Sequence, residues 1–238
     1  MNQAKRAIIM AAGLGNRMRP ITDTIPKPLV RVRGHRMIDT IISALHQNEI
    51  YEIYVVVGHL KEAFSSLPLE NPGLTLIENP DYLTCNNISS LYYAREHLED
   101  VVILDGDQLI RDPAILHTEF EHSGYCCIWR EVPTEEWVLT LNRNGIVTHC
   151  SRTGADSGWE LHSVSFWSAE DGKRLRAQLE LEYAEKKNTD IYWDDVALFC
   201  HPEDYQLGIR AISPDSLREI DSYQELCQLD STYCENGR

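Results

Sequence analysis

The stretch at residues 6–29, RAIIMAAGLGNRMRPITDTIPKPL, constrains the chain more than any other. Its unbroken apolar run at 7–12 predicts a strand buried on both faces, which is the habit of parallel sheets. The run breaks into Gly13-Leu14-Gly15, where two glycines let the backbone turn sharply and come close to a ligand. Arg17, Arg19 and Pro20 follow, and Pro26-Lys27-Pro28 holds a lysine between two residues of fixed φ. Backbone N–H groups at a glycine turn, with fixed cations beside them, suit the oxygens of a polyphosphate. Two familiar phosphate loops are excluded. The fingerprint G-x-G-x-x-G fails because Met18 stands where its third glycine belongs, and G-x-x-x-x-G-K-[ST] is absent.

Downstream, apolar runs at 29–32, 53–57, 74–77 and 101–104 predict further strands. Helical spacing at 37–48 puts Met37, Ile38, Ile41, Ile42 and Leu45 on one face, and 61–66 reads as a shorter helix. Strands alternating with helices imply βαβ units, so the expected fold is α/β, a doubly wound and mostly parallel sheet. Ligands on such sheets bind beyond the carboxyl ends of the strands, where the Gly13 loop falls. The second half changes character. A helix is expected at 114–122 and short strands at 125–130, 138–141, 146–149 and 163–167, which suggest a small antiparallel extension over the sheet. Ser168, with Asp171 three residues on, should cap a helix at 168–186. Another helix is expected at 193–199 and strands at 206–212 and 217–220, before a capping box formed by Ser222 and Glu225.

Charge narrows the partners. The chain carries 22 basic and 37 acidic residues, a net charge of −15, which argues against nucleic acid or an anionic membrane. No stretch approaches the ~18 apolar residues of a membrane span, so no membrane insertion is expected. Seven cysteines, an odd count without C-x-x-C, point to free thiols in a reducing cytoplasm.

Three further groups of residues carry candidate chemistry. In NPDYLTCNNISSL, Ser89 or Ser90 can cap a helix running to His97, with Asn86 and Asn87 just before it; the stretch reads as a capping loop or as a ligand contact. Asp105-Gly106-Asp107 ends the strand at 101–104, and carboxylates two apart on an extended chain point the same way. That suits Mg2+, which is commonly held by one or two carboxylates and substrate phosphates, although aspartate is also common in plain turns. Asp221 ends the last strand, as a loop acid or as a partner to Asp107. Finally, Glu135-Glu136-Trp137 and Asp190-Ile191-Tyr192-Trp193-Asp194-Asp195 set aromatic rings beside carboxylates. Such groups are packing residues or a seat for a quaternary ammonium.

The string G-x-G-x-R-x-x-P followed by P-K-P resembles the signature of nucleotidyltransferases that activate sugar phosphates and related esters. With NNISSL, DGD, EEW, HSVSFW and DIYWDD, the chain is similar to bacterial CTP:phosphocholine cytidylyltransferases over roughly residues 7–229. That resemblance implies one nucleotidyltransferase domain over 1–238, with a nucleotide-binding half at about 1–124 and an acceptor-binding half at 125–238. It implies that Ala11, Ala12, Gly13, Leu14, Gly15, Lys27, Asn87, Ser89 and Asp105 bind the nucleotide. Arg17, Lys27 and Asp107 would be catalytic, Mg2+ would sit on Asp107 and Asp221, and Trp137, Tyr192 and Asp194 would enclose the choline head. Sugar-phosphate members carry a lysine in an E-K-P segment, where this chain has Arg130-Glu131-Val132-Pro133, a departure that disfavours a sugar. The implied reaction is CTP plus phosphocholine giving CDP-choline and pyrophosphate. The alternatives are phosphoethanolamine or 2-aminoethylphosphonate as acceptor, a sugar 1-phosphate, or a non-catalytic nucleotide sensor. The oligomeric state stays open, a homo-oligomer included.

Overall fold

A computed structural model describes residues 1–235. Four parallel strands form its centre: β1 (Arg6–Ala11), β2 (Glu52–Val57), β3 (Leu74–Glu78) and β4 (Val101–Asp105), in the order β3-β2-β1-β4. Ala7 lies between Ile53 and Val102, and Ile9 between Val55 and Leu104. The apolar run of β1 is used on both faces. Ala7, Ile9 and Ala11 pack with Ile41, Ile42 and Leu45 of helix α1 (Met37–Gln47). Ile8, Met10 and Ala12 pack with Leu91 of α2 (Ile88–Tyr93) and with Leu175 and Leu179 of α3 (Ala169–Leu179). Helices on both faces make the sheet doubly wound. Its strand order reverses between β1 and β4, and ligands of such sheets bind at that reversal, beyond the strand ends.

The second half continues the sheet edge to edge instead of lying over it. The long strand β9 (Gly158–Trp167) pairs antiparallel with β4 through Val164 and Leu104. Its first half pairs on the same side with β7 (Val138–Leu141), which is followed by β8 (Val147–Ser151). On its other side lies β6 (Gly124–Arg130), then β10 (Gly208–Ala211). A separate ribbon pairs β5 (Gln108–Ile110) with β11 (Leu217–Glu219), which leads to helix α4 (Tyr223–Leu229).

Three local expectations are revised. The helix predicted at 114–122 is a single 3-10 turn, Pro113–Leu116, followed by a short strand, Glu119–Phe120, paired with Asn2–Gln3. Arg210 explains this: its guanidinium donates to the carbonyls of Ile115, His117 and Glu119, which a helix would have used internally. The helix expected to be capped by Ser89 or Ser90 has Asn87 at its N-cap and starts at Ile88, so both serines lie inside it and are buried; it ends at Tyr93, before a 3-10 turn at Arg95–His97. The helix capped by Ser168 is α-helical only to Leu179 and then widens into a π turn, Glu180–Glu185. The capping box of Ser222 and Glu225 forms as predicted.

Helix α3 lies against the turn before β4. A Cβ built on Gly172 would sit 1.9 Å from the Leu98 carbonyl oxygen, a backbone atom that cannot step aside alone. Alanine favours helix by ~1 kcal/mol over glycine, but overpacking a fixed contact costs about 1–3 kcal/mol or more. Gly172→Ala should therefore lower the Tm in a thermal melt, by roughly 2–10 °C for a chain of this size. An unchanged or raised Tm would show that α3 stands further from the turn.

Candidate active site

The site grows out of the end of β1. Past Ala12, whose carbonyl accepts from the His59 N–H at 3.1 Å, the chain turns through Gly13. Gly15 needs to be glycine on two counts. Its φ is +63°, and a Cβ there would meet Thr22 Cγ2 at 2.8 Å. The Thr22 hydroxyl donates to the Gly15 carbonyl at 2.8 Å, closing the loop on itself. Lys27 follows in a 3-10 turn, Lys27–Leu29, with Pro26 and Pro28 buried on either side. Pro28 packs on Gly106, where any Cβ would come within 2.9 Å of the proline ring. The small residue between the two aspartates thus lets the P-K-P turn approach, which places Lys27 against Asp107.

The acids arrive from two directions. Asp105 ends β4 and Asp107 follows it. Glu219 and Asp221 are brought alongside by the β5–β11 ribbon, in which Glu219 faces Gln108. Asp221 is fixed at its backbone, because its N–H and that of Ser222 donate to Glu225 Oε2 at 2.7 and 2.9 Å. Lys27 Nζ then bridges Asp107 Oδ2 at 2.5 Å and Asp221 Oδ1 at 3.0 Å, and Arg17 Nη2 reaches Asp221 Oδ1 at 2.7 Å. Burial alone would lower the Lys27 pKa, but the two carboxylates outweigh it and hold the ammonium above its ordinary value.

Oxygens of Asp107, Glu219 and Asp221 all lie within 4.8 Å of one another. Asp107 Oδ1 is buried without a hydrogen-bond partner. Three hard carboxylates, with an Asp107 oxygen left unsatisfied, fit a divalent cation such as Mg2+. Glu219 escaped the sequence reading. The signal was its spacing from Asp221, two residues apart like Asp105 and Asp107. Burial, then Asp107 and Asp221, pushes Glu219 up to about 9. Burial, then Asp107, pushes Asp105 up to about 7.

A cleft of about 460 Å3 opens here, lined by Ala11, Ala12, Gly13, Gly15, Arg17, Lys27, Asn87, Asp105, Asp107 and Asp221. Leu14 and Ser89 do not line it. Ser89 is fully buried: its hydroxyl donates to the Asn86 carbonyl and accepts from Asn79 Nδ2, and Ser90 faces the cleft instead. Trp137 and Tyr192, in ring contact, form a second group, and Asp194, two residues after Tyr192, stands near Asp105 and the Tyr125 hydroxyl. Asn87 Oδ1 accepts from the Trp193 N–H at 2.9 Å, joining the two groups. The Trp137 ring meets Tyr192 at 5.7 Å and Phe199 at 5.5 Å, both edge-on. Burial, then the charge of Asp105, raises Asp194 well above the usual carboxylate range, against the smaller lowering effect of a hydrogen bond from the Tyr125 hydroxyl. Arg152, Asp195 and Phe199 belong to this group; Asp195 stands in the DIYWDD segment without an assigned role, and Arg152 and Phe199 carried no sequence signal.

Residues 7–180 match the MobA-like NTP transferase domain family. The chain belongs to that family. It is 38% identical over 95% of its length, and 92% of the relative's, to a 2-aminoethylphosphonate cytidylyltransferase of Lancefieldella rimae. It is 32% identical over 94% of its length, and 96% of the relative's, to the choline-phosphate cytidylyltransferase of Streptococcus pneumoniae. The solved CTP:phosphocholine cytidylyltransferase of that organism superposes with a TM-score of 0.88 at 31% identity, covering 95% of this chain and 98% of that one. An inositol-1-phosphate CTP transferase of T. maritima shares the fold at 18% identity and a TM-score of 0.75, covering 96% and 97%. The enzyme is thus a nucleotidyltransferase of the cytidylyltransferase type, similar to the phosphocholine enzymes as the motifs implied. Among the described residues no helix is long and apolar enough to cross a membrane.

The acid cluster makes stability depend on pH. Glu219 in the folded enzyme keeps a proton up to about pH 9, whereas the unfolded chain releases it near its ordinary value. The stability this contributes is full below the unfolded pKa and is lost as pH rises through the folded one. In chelator, the wild type should lose Tm steadily from about pH 5 to 9, and Glu219→Gln should lose distinctly less. Mg2+ at pH 8 should raise the Tm of the wild type more than that of the variant. Parallel pH curves, or equal responses to Mg2+, would remove Glu219 from the cluster.

Proposed function

We propose that the enzyme transfers the cytidylyl group of CTP to 2-aminoethylphosphonate, releasing pyrophosphate. The observation that carries this reading is the pair Asp105 and Asp194. Both carboxyls are buried and raised, Asp194 by the neighbouring Asp105 among other causes, so each favours its protonated form until a cation beside it stabilises the charge. The Tyr125 hydroxyl beside Asp194 can satisfy one lone pair of that carboxylate, which leaves acceptor capacity for an ammonium. A primary ammonium supplies charge and three N–H donors, whereas a trimethylammonium has no donor to give. The Lancefieldella rimae relative, named for 2-aminoethylphosphonate, supports the same choice. Phosphocholine is the second reading, favoured by the edge-on rings of Trp137 and Tyr192 and by the relatives named for choline phosphate.

In this account the Gly13 loop and Asn87 seat the nucleotide, and Arg17 and Lys27 neutralise its phosphates. The acceptor attacks through a phosphonate oxygen that is already anionic. The bond from that oxygen to the α-phosphorus forms as the bond to pyrophosphate breaks, and no general base is needed. Catalysis then rests on positioning and on charge placed where it develops. A divalent cation on Asp107, Glu219 and Asp221 would supply Lewis-acid stabilisation of the phosphoryl oxygens.

The test is pyrophosphate release from CTP with 2-aminoethylphosphonate, phosphoethanolamine and phosphocholine. We expect kcat/KM for 2-aminoethylphosphonate to exceed that for phosphocholine about tenfold or more, the scale of one charge-assisted hydrogen bond. Preference for phosphocholine would replace this reading with the second. No release with any acceptor would refute both.

A further inference from the structure

We propose that Arg152 is a specificity-determining residue: its guanidinium fills the ring-faced seat that a quaternary ammonium would take, and so turns the site toward primary amines. The inference rests on reading Trp137, Tyr192 and Asp194 as the acceptor end of the site. Arg152 Cζ lies 3.9 Å from the centre of the Phe199 ring and 5.5 Å from that of Trp137. Both distances are within the reach of a cation–π contact. Of the three rings grouped around Trp137, two therefore already serve a cation of the chain itself. That cation is permanent, because guanidinium does not lose its proton in a protein.

The arginine is held in place. Its Nη2 pairs at 2.5 Å with Asp195 Oδ1, a carboxylate 2% exposed. The other oxygen, Asp195 Oδ2, accepts from the Tyr192 N–H at 2.9 Å. One buried carboxylate thus fixes both Arg152 and the backbone of Tyr192, and both its oxygens are engaged. Asp194, the next acid along, is not paired with Arg152; it stands beside Asp105 and the Tyr125 hydroxyl, and on the proposed function it is the acid that meets an incoming ammonium. A primary ammonium is seated by carboxylates and needs no ring face. A trimethylammonium cannot donate a hydrogen bond and depends on ring faces, where it would meet a fixed like charge.

The experiment compares the wild type with Arg152→Met, and with a double variant that adds Asp195→Asn. The double variant avoids leaving Asp195 buried and unpaired, which could unfold the loop, and its amide oxygen can still accept from Tyr192. Thermal melts check folding. The readouts are kcat/KM for phosphocholine relative to 2-aminoethylphosphonate, KM for CTP, and the binding of choline and of ethanolamine by calorimetry. In the double variant the phosphocholine ratio should rise about tenfold or more, and choline should gain on ethanolamine to a similar extent. KM for CTP should stay within about twofold, because the nucleotide cleft is not lined by Arg152. An unchanged or falling ratio, in turnover and in binding, would overturn the inference. Which acceptor the wild type prefers tests the proposed function separately. The shift on removing Arg152 tests this residue, and calorimetry reads that shift even where turnover is absent.

Discussion

One ammonium group holds the site together. Lys27 Nζ touches Asp107 and Asp221, residues 80 and 194 positions away in the chain. Its side chain is only 11% exposed, so these contacts are weakly screened. Without it, Asp107 and Asp221 would face each other as like charges packed within a few ångströms, beside a Glu219 already pushed toward its protonated form. The surrounding sequence serves this one placement. Two prolines fix the turn that carries Lys27, Gly106 lets that turn approach, and the Glu225 capping box holds Asp221 by its backbone.

The arrangement also suggests how charge moves when substrate arrives. The lysine meets acids that suit a divalent cation, so the two compete for the same carboxylate oxygens. A cation entering with the nucleotide would free the ammonium to face the phosphates. This resolves the tension between a net charge of −15 and a triphosphate substrate. Charges spread over the surface are screened, whereas Arg17, Lys27 and the loop N–H groups would act at contact.

Much of this was legible in the chain. The apolar run of β1 could be used only by a strand covered on both faces, and the G-x-G turn after it had to lie at the open end of the sheet. What escaped depends on pairings between distant segments. Glu219 joins the acids only because β11 pairs with β5, and a three-residue strand leaves little periodicity to read. Arg152 lies in an unpatterned turn, and its partner Asp195 is 43 residues away. The helix expected at 114–122 has suitable residues, but Arg210 claims its carbonyls from nearly a hundred positions downstream. Neither Ser89 nor Ser90 is the cap, because Asn87 takes that place, and it is Ser90 that faces the cleft, since adjacent helical residues point about 100° apart.

The measurement that bears most directly on this account is a crystal structure with Mn2+ and a non-hydrolysable CTP analogue, with the metal located by anomalous scattering. The account predicts one Mn2+ bound by Asp107, Glu219 and Asp221, with Lys27 Nζ withdrawn from Asp107 onto a phosphate oxygen. A metal bound elsewhere, or Lys27 still bridging both aspartates with the nucleotide in place, would contradict it.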